Sequence, residues 1–342
     1  MQYHGKFPIF DSNQIKTYPV ADRINKVQLE DLADPERTLA AAIPLAPEQE
    51  DVLDQLAKHI VLAVRAGRPV IWFTGAHLIK NGLGLILIDL IRRGAVSLLG
   101  TNGAGTIHDF ELALIGQTSE YVPNALPQGQ FGMAREFGYI NAALLEGQHR
   151  LIGFGQALGQ LICDSDFRRA VEKRLNLDHP IVFKHPEVSL IAACHQHNIP
   201  LTVHVGIGTD VIDQHPNFDG SAKGGCSGRD FLIYTQHVTN LDKGGVVLNI
   251  GSAVTGPEVL LKAVSMAGNI NRPPCRIVTA DFDLKPYHLN AMNDESNCCY
   301  YFRHHKSVAT RIPAAFQGQG LYIQGDQCRT VPRLYQLIIQ QL

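Results

Sequence analysis

Short runs of hydrophobic residues alternate with amphipathic segments along most of the chain. Continuous apolar runs predict buried strands over 69–73, 95–99, 201–205, 246–250 and 276–279. Apolar residues at helical spacing predict helices over 83–93, 107–115, 187–197, 229–239, 258–267 and 330–340, after a first helix that opens at Pro47. Continuous apolar strands separated by helices are typical of a parallel sheet with helices on both faces. The pattern therefore predicts an α/β fold whose ligands bind where the strands end.

The domain organisation follows from where this alternation begins. Residues 1–44 show neither continuous apolar runs nor apolar residues at helical spacing, so we expect an irregular N-terminal arm there. No linker, low-complexity tract or internal repeat interrupts residues 45–342, which we predict to form one Rossmann-like domain.

Composition and charge exclude several classes of protein. The 342 residues are 45% apolar and 18% charged with a net charge of −2, which are values of a globular chain. The basic residues are scattered, so no nucleic-acid partner is expected, and no apolar run is long enough to span a membrane. Seven cysteines without ligand spacing indicate reduced thiols in a cytoplasmic protein, and no metal site is expected.

Two glycine-rich turns follow predicted strands and precede predicted helices, over 101–105 and 249–253. Glycines let backbone N–H groups approach a phosphate, and the N-terminus of a following helix favours its negative charge. A tight structural turn without a ligand has the same sequence. The pair favours a dinucleotide, although neither turn has the full Gly-x-Gly-x-x-Gly fingerprint of ordinary dehydrogenases.

Acidic residues follow two other predicted strands. Asp210 comes after 201–205, and Asp281 and Asp283 come after 276–279. Carboxylates at strand ends suit ribose hydroxyls or an amine substrate. Turns and helix caps use the same residue types, so a purely structural role is equally open.

Two further clusters are interpreted as structural. Segment 224–228 formally matches a nucleophile elbow around Cys226, but no strand precedes it, which favours a glycine loop. The basic cluster over 304–306 is interpreted as solvated surface.

In order and spacing, these segments resemble the motifs of deoxyhypusine synthases. The matching stretches are 78–82, 93–96, 101–105, 199–210, 245–252 and 279–283, with Asp326 shortly before Pro332. The resemblance covers roughly residues 45 to 340 and implies an NAD-binding fold, usually a homotetramer with sites shared between subunits. It implies that NAD is bound by Ala76, His77, Thr101, Asn102, Gly103, Ala104, Asp210, Gly251, Ser252, Thr279, Ala280, Asp283 and Asp326.

The resemblance also implies a chemistry. The family oxidises spermidine with NAD and passes the aminobutyl group, through an imine on an enzyme lysine, to a lysine of an acceptor protein. The family's Trp-Gly-Lys motif is absent because Trp72 is the only tryptophan, so Lys306 is the candidate imine-forming amine. A surface role for Lys306 is the alternative. Asp210 and His108, which stands where the family has Glu, complete the predicted catalytic set.

Together these features predict an NAD-dependent transferase or oxidoreductase that acts on a small amine, with a protein lysine as a candidate acceptor. Two alternatives remain at this point. One is an NAD-consuming deacylase similar to sirtuins, and the other is an inactive dinucleotide-binding sensor.

Overall fold

The computed structural model, which describes residues 4–288, 291–292 and 294–342, contains a six-stranded sheet and a two-stranded ribbon. The strands are β1 (Asn25–Gln28), β2 (Val70–Thr74), β3 (Leu98–Asn102), β4 (Gln117–Glu120), β5 (Leu201–His204), β6 (Val246–Ile250), β7 (Val278–Asp283) and β8 (Gln319–Gln324). The strands β1 and β4 form the antiparallel ribbon. The main sheet has the order β5-β3-β2-β6-β7-β8, and every neighbouring pair in it is parallel. The predicted α/β fold with a parallel sheet is confirmed.

Helices connect the strands and cover both faces of the sheet. They are α1 (Pro35–Ala40), α2 (Pro47–Arg65), α3 (Ala76–Lys80), α4 (Gly84–Arg92), α5 (Gly103–Ile115), α6 (Val122–Ala125), α7 (Phe137–His149), α8 (Phe154–Cys163), α9 (Ser165–Arg174), α10 (Leu190–Gln196), α11 (Gly220–Val238), α12 (Thr255–Asn269), α13 (Cys298–Tyr301), α14 (Arg303–Lys306), α15 (Ile312–Ala315) and α16 (Gln327–Gln341). A π-helical turn, Ser307–Arg311, joins α14 to α15. Within the described ranges, no helix combines the length and hydrophobicity needed to cross a membrane.

The central strands β2 and β6 are buried along their whole length. In β2, Val70 and Trp72 belong to the hydrophobic core on one face, whereas Ile71 and Phe73 belong to the core on the other. Successive side chains of a strand point to opposite faces, so a strand with helices on both sides needs apolar residues at every position. This double cover explains the unbroken apolar run that the sequence shows here.

The order of the strands determines where a ligand crevice opens. The strand β2 comes first in the main sheet, β3 and β5 are added on one side of it, and β6, β7 and β8 on the other. This is the 3-2-1-4-5-6 order of doubly wound dinucleotide-binding folds. The direction of growth reverses between β2 and β6, so the carboxyl ends of these two strands border the crevice.

Several predicted boundaries are wrong, and glycine is the main cause. The helix α5 begins at Gly103 and α11 begins at Gly220, so two glycine-rich segments expected as a turn and a loop are helical. Glycine has a low helix propensity, which tertiary packing overrides here. The strand β7 ends at Asp283 rather than at 279, and β8 has no counterpart among the predicted strands.

The N-terminal arm is more ordered than its sequence indicates. It contributes β1 and α1, and Val20 is buried against the main core. The arm is therefore packed against the hydrophobic core of the main sheet and its helices.

Candidate functional site

Two glycines bring the backbones of the crevice into contact. The N–H of Gly75, just after β2, donates to the carbonyl of Ile250 at the end of β6 over 2.8 Å. A Cβ on Gly75 would lie 2.1 Å from the carbonyl oxygen of Gly251. Gly251 has a φ of +64°, a conformation that favours glycine. Any side chain at Gly75 would therefore force the two strand ends apart.

A cavity of about 250 Å³ opens at the carboxyl ends of β6, β7 and β8, and we call it the β6–β8 cavity. His77, Gly251, Asp283 and Asp326 all line it, so four of the predicted NAD-binding residues meet here. Gln327 lines it as well, and its buried Oε1 atom has no hydrogen-bond partner among the described residues. A buried acceptor without a donor is costly, so a ligand N–H or O–H at this point would be favourable.

The two carboxylates of this cavity are held by backbone N–H groups. Asp283 accepts from the N–H of Lys285 over 2.9 Å, and Asp326 accepts from that of Cys328 over 2.9 Å at the start of α16. Each bond uses one of the two oxygens, so acceptor capacity remains on both side chains. Burial, followed by the charges of Lys80 and His108, lowers the pKa of His77 below its ordinary value, which favours the neutral ring.

A second cavity, of about 280 Å³, opens at the carboxyl ends of β3 and β5, and we call it the β3–β5 cavity. Ala104, His108 and Asp210 line it, which brings together two members of the predicted catalytic set. Lys80, from the last turn of α3, lines it too, whereas His77 from the first turn lines the β6–β8 cavity. The short helix α3 thus contributes a side chain to each of the two cavities.

Asp210 belongs to a buried cluster of two carboxylates and one ammonium. The Nζ atom of Lys223, whose side chain is fully buried, lies 2.8 Å from Asp210 Oδ2 and 2.5 Å from Asp213 Oδ1. The same ammonium donates to the carbonyl of Gly206 over 3.0 Å. Burial raises the pKa of Asp210, an effect that the charge of Lys223 opposes and that of Asp213 reinforces. With both carboxylates ionised, the cluster carries one excess negative charge next to the cavity.

The same cavity is lined by a second cluster of two carboxylates and one cation. Arg23 from the arm lies 2.6 Å from Glu111 Oε1 and 3.7 Å from Glu120 Oε2, and all three line the β3–β5 cavity. Burial opposes ionisation of Glu111, but hydrogen bonds and the charges of Arg23 and His108 outweigh it and lower the pKa of the carboxyl group. Each cluster therefore combines two carboxylates with one cation.

The hydrogen bonds of His108 set its tautomer. Its Nδ1 atom lies 2.7 Å from Thr118 Oγ1, and the Thr118 hydroxyl donates in turn to Glu111 Oε2. Since the Thr118 proton is directed to Glu111, its oxygen accepts from Nδ1–H of His108. In the neutral ring the other nitrogen, Nε2, then keeps a lone pair, and the residue lines the cavity, which is the arrangement that a general base needs.

The turn expected to cradle a phosphate is largely occupied by protein groups. Asn102 caps α5 by accepting from the N–H of Gly105 over 2.9 Å, and Thr101 Oγ1 donates to the carbonyl of Thr74 over 3.0 Å. The Asp210 carboxylate packs on Gly103, where a Cβ would lie 2.2 Å from Oδ2. A carboxylate at this helix N-terminus takes the place at which a phosphate was expected. Asp210 and Gly103 therefore lie together, as expected of residues of one site, but a protein carboxylate adjoins the helix N-terminus where a phosphate was expected.

Three other predicted NAD-binding residues lie within the protein framework. Thr279 and Ala280 sit near the start of β7, fully buried, and Thr279 Oγ1 donates to the carbonyl of Val308 over 2.6 Å. They are far from the carboxyl end of β7 because the strand continues to Asp283. Ser252 Oγ accepts from the N–H of Gly256 over 2.9 Å and supports the start of α12. Ala76 is the first residue of α3, at the crevice itself.

Lys306 is buried rather than on the surface, with 6% of its area exposed. Its Nζ lies 4.2 Å from the ring centroid of Tyr300, which is a cation–π contact. Among the described residues, Lys306 lines neither the β6–β8 nor the β3–β5 cavity. The structure does not bring it together with Asp210 and His108. His305, its neighbour, is also buried, so the interpretation of 304–306 as solvated surface is wrong for both residues.

Sequence reasoning missed the residues that complete the charged walls. Lys223 lies among glycines that suggested a loop. Arg23 lies in the arm, where the apolar residues follow neither a strand nor a helix pattern. The spacing of His108 and Glu111 on one predicted helix is the signal that was available, because residues three apart share a helix face.

Comparison with known proteins gives distant likenesses only. No family model matches the chain, and no curated protein matches it. Among solved structures, ArgZ, an arginine dihydrolase from the ornithine–ammonia cycle in cyanobacteria, is 16% identical with a TM-score of 0.47 over 86% of this chain and 32% of its own. AgrE in ternary complex with ornithine and NAD+ is 16% identical with a TM-score of 0.47, over 88% of this chain and 34% of its own. A conserved putative LOR/SDH protein from Methanococcus maripaludis S2 is 16% identical with a TM-score of 0.46, over 88% of this chain and 72% of its own. The chain thus spans about a third of the length of ArgZ and of AgrE.

Proposed function

We propose that this chain is an NAD-dependent enzyme that oxidises a small amine at the carbon bearing the nitrogen. The observation that carries the proposal is the β3–β5 cavity, which is lined by residues of two buried clusters, each with one excess negative charge, and by a histidine whose Nε2 has no hydrogen bond among the described residues. Such walls favour a cationic ligand over an anionic one, because low dielectric strengthens charge interactions.

The dinucleotide is assigned to the crevice between β2 and β6 and to the adjoining β6–β8 cavity. Asp283 and Asp326 offer carboxylate oxygens to ribose hydroxyls, and the unpartnered Gln327 Oε1 offers an acceptor to an amide or amino N–H. The glycine at 251 leaves the backbone exposed at the crevice. When bound, NAD supplies the hydride acceptor that the protein itself lacks.

The residues of the chain then have separate roles. The ammonium of the substrate pairs with Asp210, whose carboxylate is held in place by Lys223. His108 Nε2 accepts a proton from the substrate nitrogen, and the Thr118–Glu111 pair stabilises the ring as it becomes charged. Lys80 lines the same cavity and would pair with a carboxylate if the substrate carries one.

The test is to incubate the protein with NAD+ and a panel of amines, and to follow NADH formation. The panel includes spermidine, simple diamines and ornithine, the ligand present with NAD+ in the AgrE structure. We expect an amine-dependent rate that falls by about 10²–10⁴ in His108→Gln. His149→Gln, on an exposed histidine at the end of α7, is the matched control and should keep the wild-type rate.

The same assay separates the alternatives. Release of nicotinamide without NADH would indicate an NAD-consuming enzyme, and NAD+ binding without turnover on the whole panel would indicate a sensor. Either result overturns the proposal.

Aminoalkyl transfer of the deoxyhypusine synthase type is a narrower form of this proposal. It needs Lys306 as the imine-forming amine, so borohydride should trap a substrate adduct on Lys306 and Lys306→Met should abolish transfer. Amine oxidation should then survive Lys306→Met within about threefold, since the lysine lies apart from His108 and Asp210. The homotetramer and the protein acceptor that the resemblance implies remain predictions.

A further inference from the structure

A buried series of three hydrogen bonds and one ion-pair contact runs beneath the two turns that border the β6–β8 cavity. Asn249 Nδ2 donates to the carbonyl of Ser252 over 3.0 Å and to Asp281 Oδ1 over 2.7 Å. The other oxygen of Asp281 lies 2.6 Å from His305 Nδ1, and His305 Nε2 lies 3.4 Å from Asp283 Oδ2. These contacts therefore join the turn after β6 to the carboxylate at the end of β7.

Within this series of contacts, the His305 side chain bridges two carboxylates, those of Asp281 and Asp283. Asp281 is fully buried, whereas Asp283 lines the cavity. The rings of Tyr287, Phe302 and Tyr322 surround the imidazole, with centroids 6.0, 6.1 and 5.6 Å from it. This packing fixes the plane of the ring, so the ring can hold Asp283 in one orientation.

We infer that His305 is a positioning residue for the dinucleotide, which clamps Asp283 against the buried Asp281 and so directs a carboxylate oxygen into the β6–β8 cavity. The inference rests on the proposed function, because it takes the ligand of that cavity to be NAD. His305 does not line the cavity, so it acts through Asp283 and not by touching the ligand.

The protonation state of His305 decides whether the clamp is closed. With both nitrogens protonated the ring donates to Asp281 and carries a positive charge 3.4 Å from Asp283, whereas the neutral ring lacks that charge. Burial opposes the charged form, but the hydrogen bond and charge of Asp281, together with the charge of Asp283, outweigh burial and raise the pKa of His305. The titratable groups that face or adjoin the ring are Asp281, Asp283, Lys285, Tyr287, Tyr322 and His304.

The clamp predicts that NAD+ affinity falls as the pH rises through the pKa of His305. We expect a weakening of about three- to tenfold between pH 6 and pH 9 in the wild-type protein, measured by calorimetric titration of NAD+. His305→Gln should bind about tenfold more weakly at pH 6 and show no such pH dependence. His304→Gln, on the adjacent histidine that contacts Glu258, is the matched control and should keep the wild-type profile.

A second measurement tests the clamp without any ligand. In histidine side-chain NMR spectra of ¹⁵N-labelled protein, Asp283→Asn should lower the pH at which His305 titrates, and the variant should also lose the pH dependence of NAD+ binding. An unchanged His305 titration in Asp283→Asn overturns the clamp. If the wild-type protein and both variants bind NAD+ alike with one pH profile, the positioning role fails while the proposed function stands. If the wild-type protein binds no NAD+, the proposed function fails and the inference fails with it.

Discussion

At the scale of single residues, the candidate site depends on charges that are buried and only partly compensated. Lys223 is the clearest example, because a fully buried ammonium holds two carboxylates and a carbonyl at once. Removing one partner from such a cluster costs more than the cluster itself contributes, since the remaining charges are left without a counterion. The cluster is therefore a requirement of the fold, and its Asp210 carboxylate also lines the cavity.

We expect Lys223→Met to lower the free energy of unfolding by about 3–5 kcal/mol, because Asp210 and Asp213 would be left buried without a cation. Urea unfolding at neutral pH measures this loss. Adding Asp213→Asn to Lys223→Met should recover part of it, whereas Lys80→Met alone should cost less than about 1 kcal/mol. A Lys223→Met variant as stable as the wild-type protein would show that the ion cluster does not exist as described.

A second residue-scale prediction concerns Asp230, which supports both β5 and α8. Its Oδ2 accepts from the N–H groups of Val203 over 2.8 Å and Gly155 over 3.0 Å, yet burial raises the pKa of its carboxyl group to about 7. The folded protein therefore binds more protons than the unfolded chain between about pH 4 and pH 7, and its stability falls as the pH rises through that range.

Asp230→Asn keeps an oxygen acceptor and removes the cost of ionisation. At pH 8 we expect the variant to be up to about 3 kcal/mol more stable than the wild-type protein, with no difference near pH 4. Thermal unfolding across this pH range provides the measurement. A variant that is less stable at pH 8 would mean that the wild-type carboxylate is stabilised, not penalised, by its surroundings.

At the scale of elements, apolar runs were a better guide than glycines. The limits of β6 were predicted correctly, because a strand covered on both faces requires an unbroken apolar run. The starts of α5 and α11 were not predictable, since helical glycines at 103 and 225 serve close packing that only the tertiary structure reveals. A Cβ at Gly225 would lie 2.3 Å from Gln148 Oε1, on a neighbouring helix.

Replacement by alanine should change the free energy of unfolding in opposite directions at two helical glycines. Gly103→Ala would place a Cβ 2.2 Å from Asp210 Oδ2 and should lower the free energy of unfolding by about 1–3 kcal/mol. Gly228→Ala, in α11, meets no atom within 4 Å and should raise it by about 0.5–1 kcal/mol, because alanine favours the helix. Urea denaturation of the two variants in parallel decides the matter. Equal effects would contradict the close contact between α5 and Asp210.

At the scale of the whole molecule, the sheet was predictable but the site was only half predictable. The alternation of strands and helices indicated a crevice at the strand ends, and His77, Gly251, Asp283 and Asp326 do meet there. The charged walls were hidden, because Arg23 reaches the cavity from the N-terminal arm, outside any predicted element. The strand order, which sets the crevice between β2 and β6, follows from long-range pairing that local sequence does not encode.

The central claim is that hydride leaves the carbon next to the amine and reaches NAD. It is tested most directly with an amine carrying deuterium on that carbon, incubated with NAD+ and the wild-type protein, and analysed by mass spectrometry of the reduced nucleotide. We predict that the deuterium is recovered in the NADH that forms. NADH without deuterium, or free nicotinamide in place of NADH, would contradict the claim.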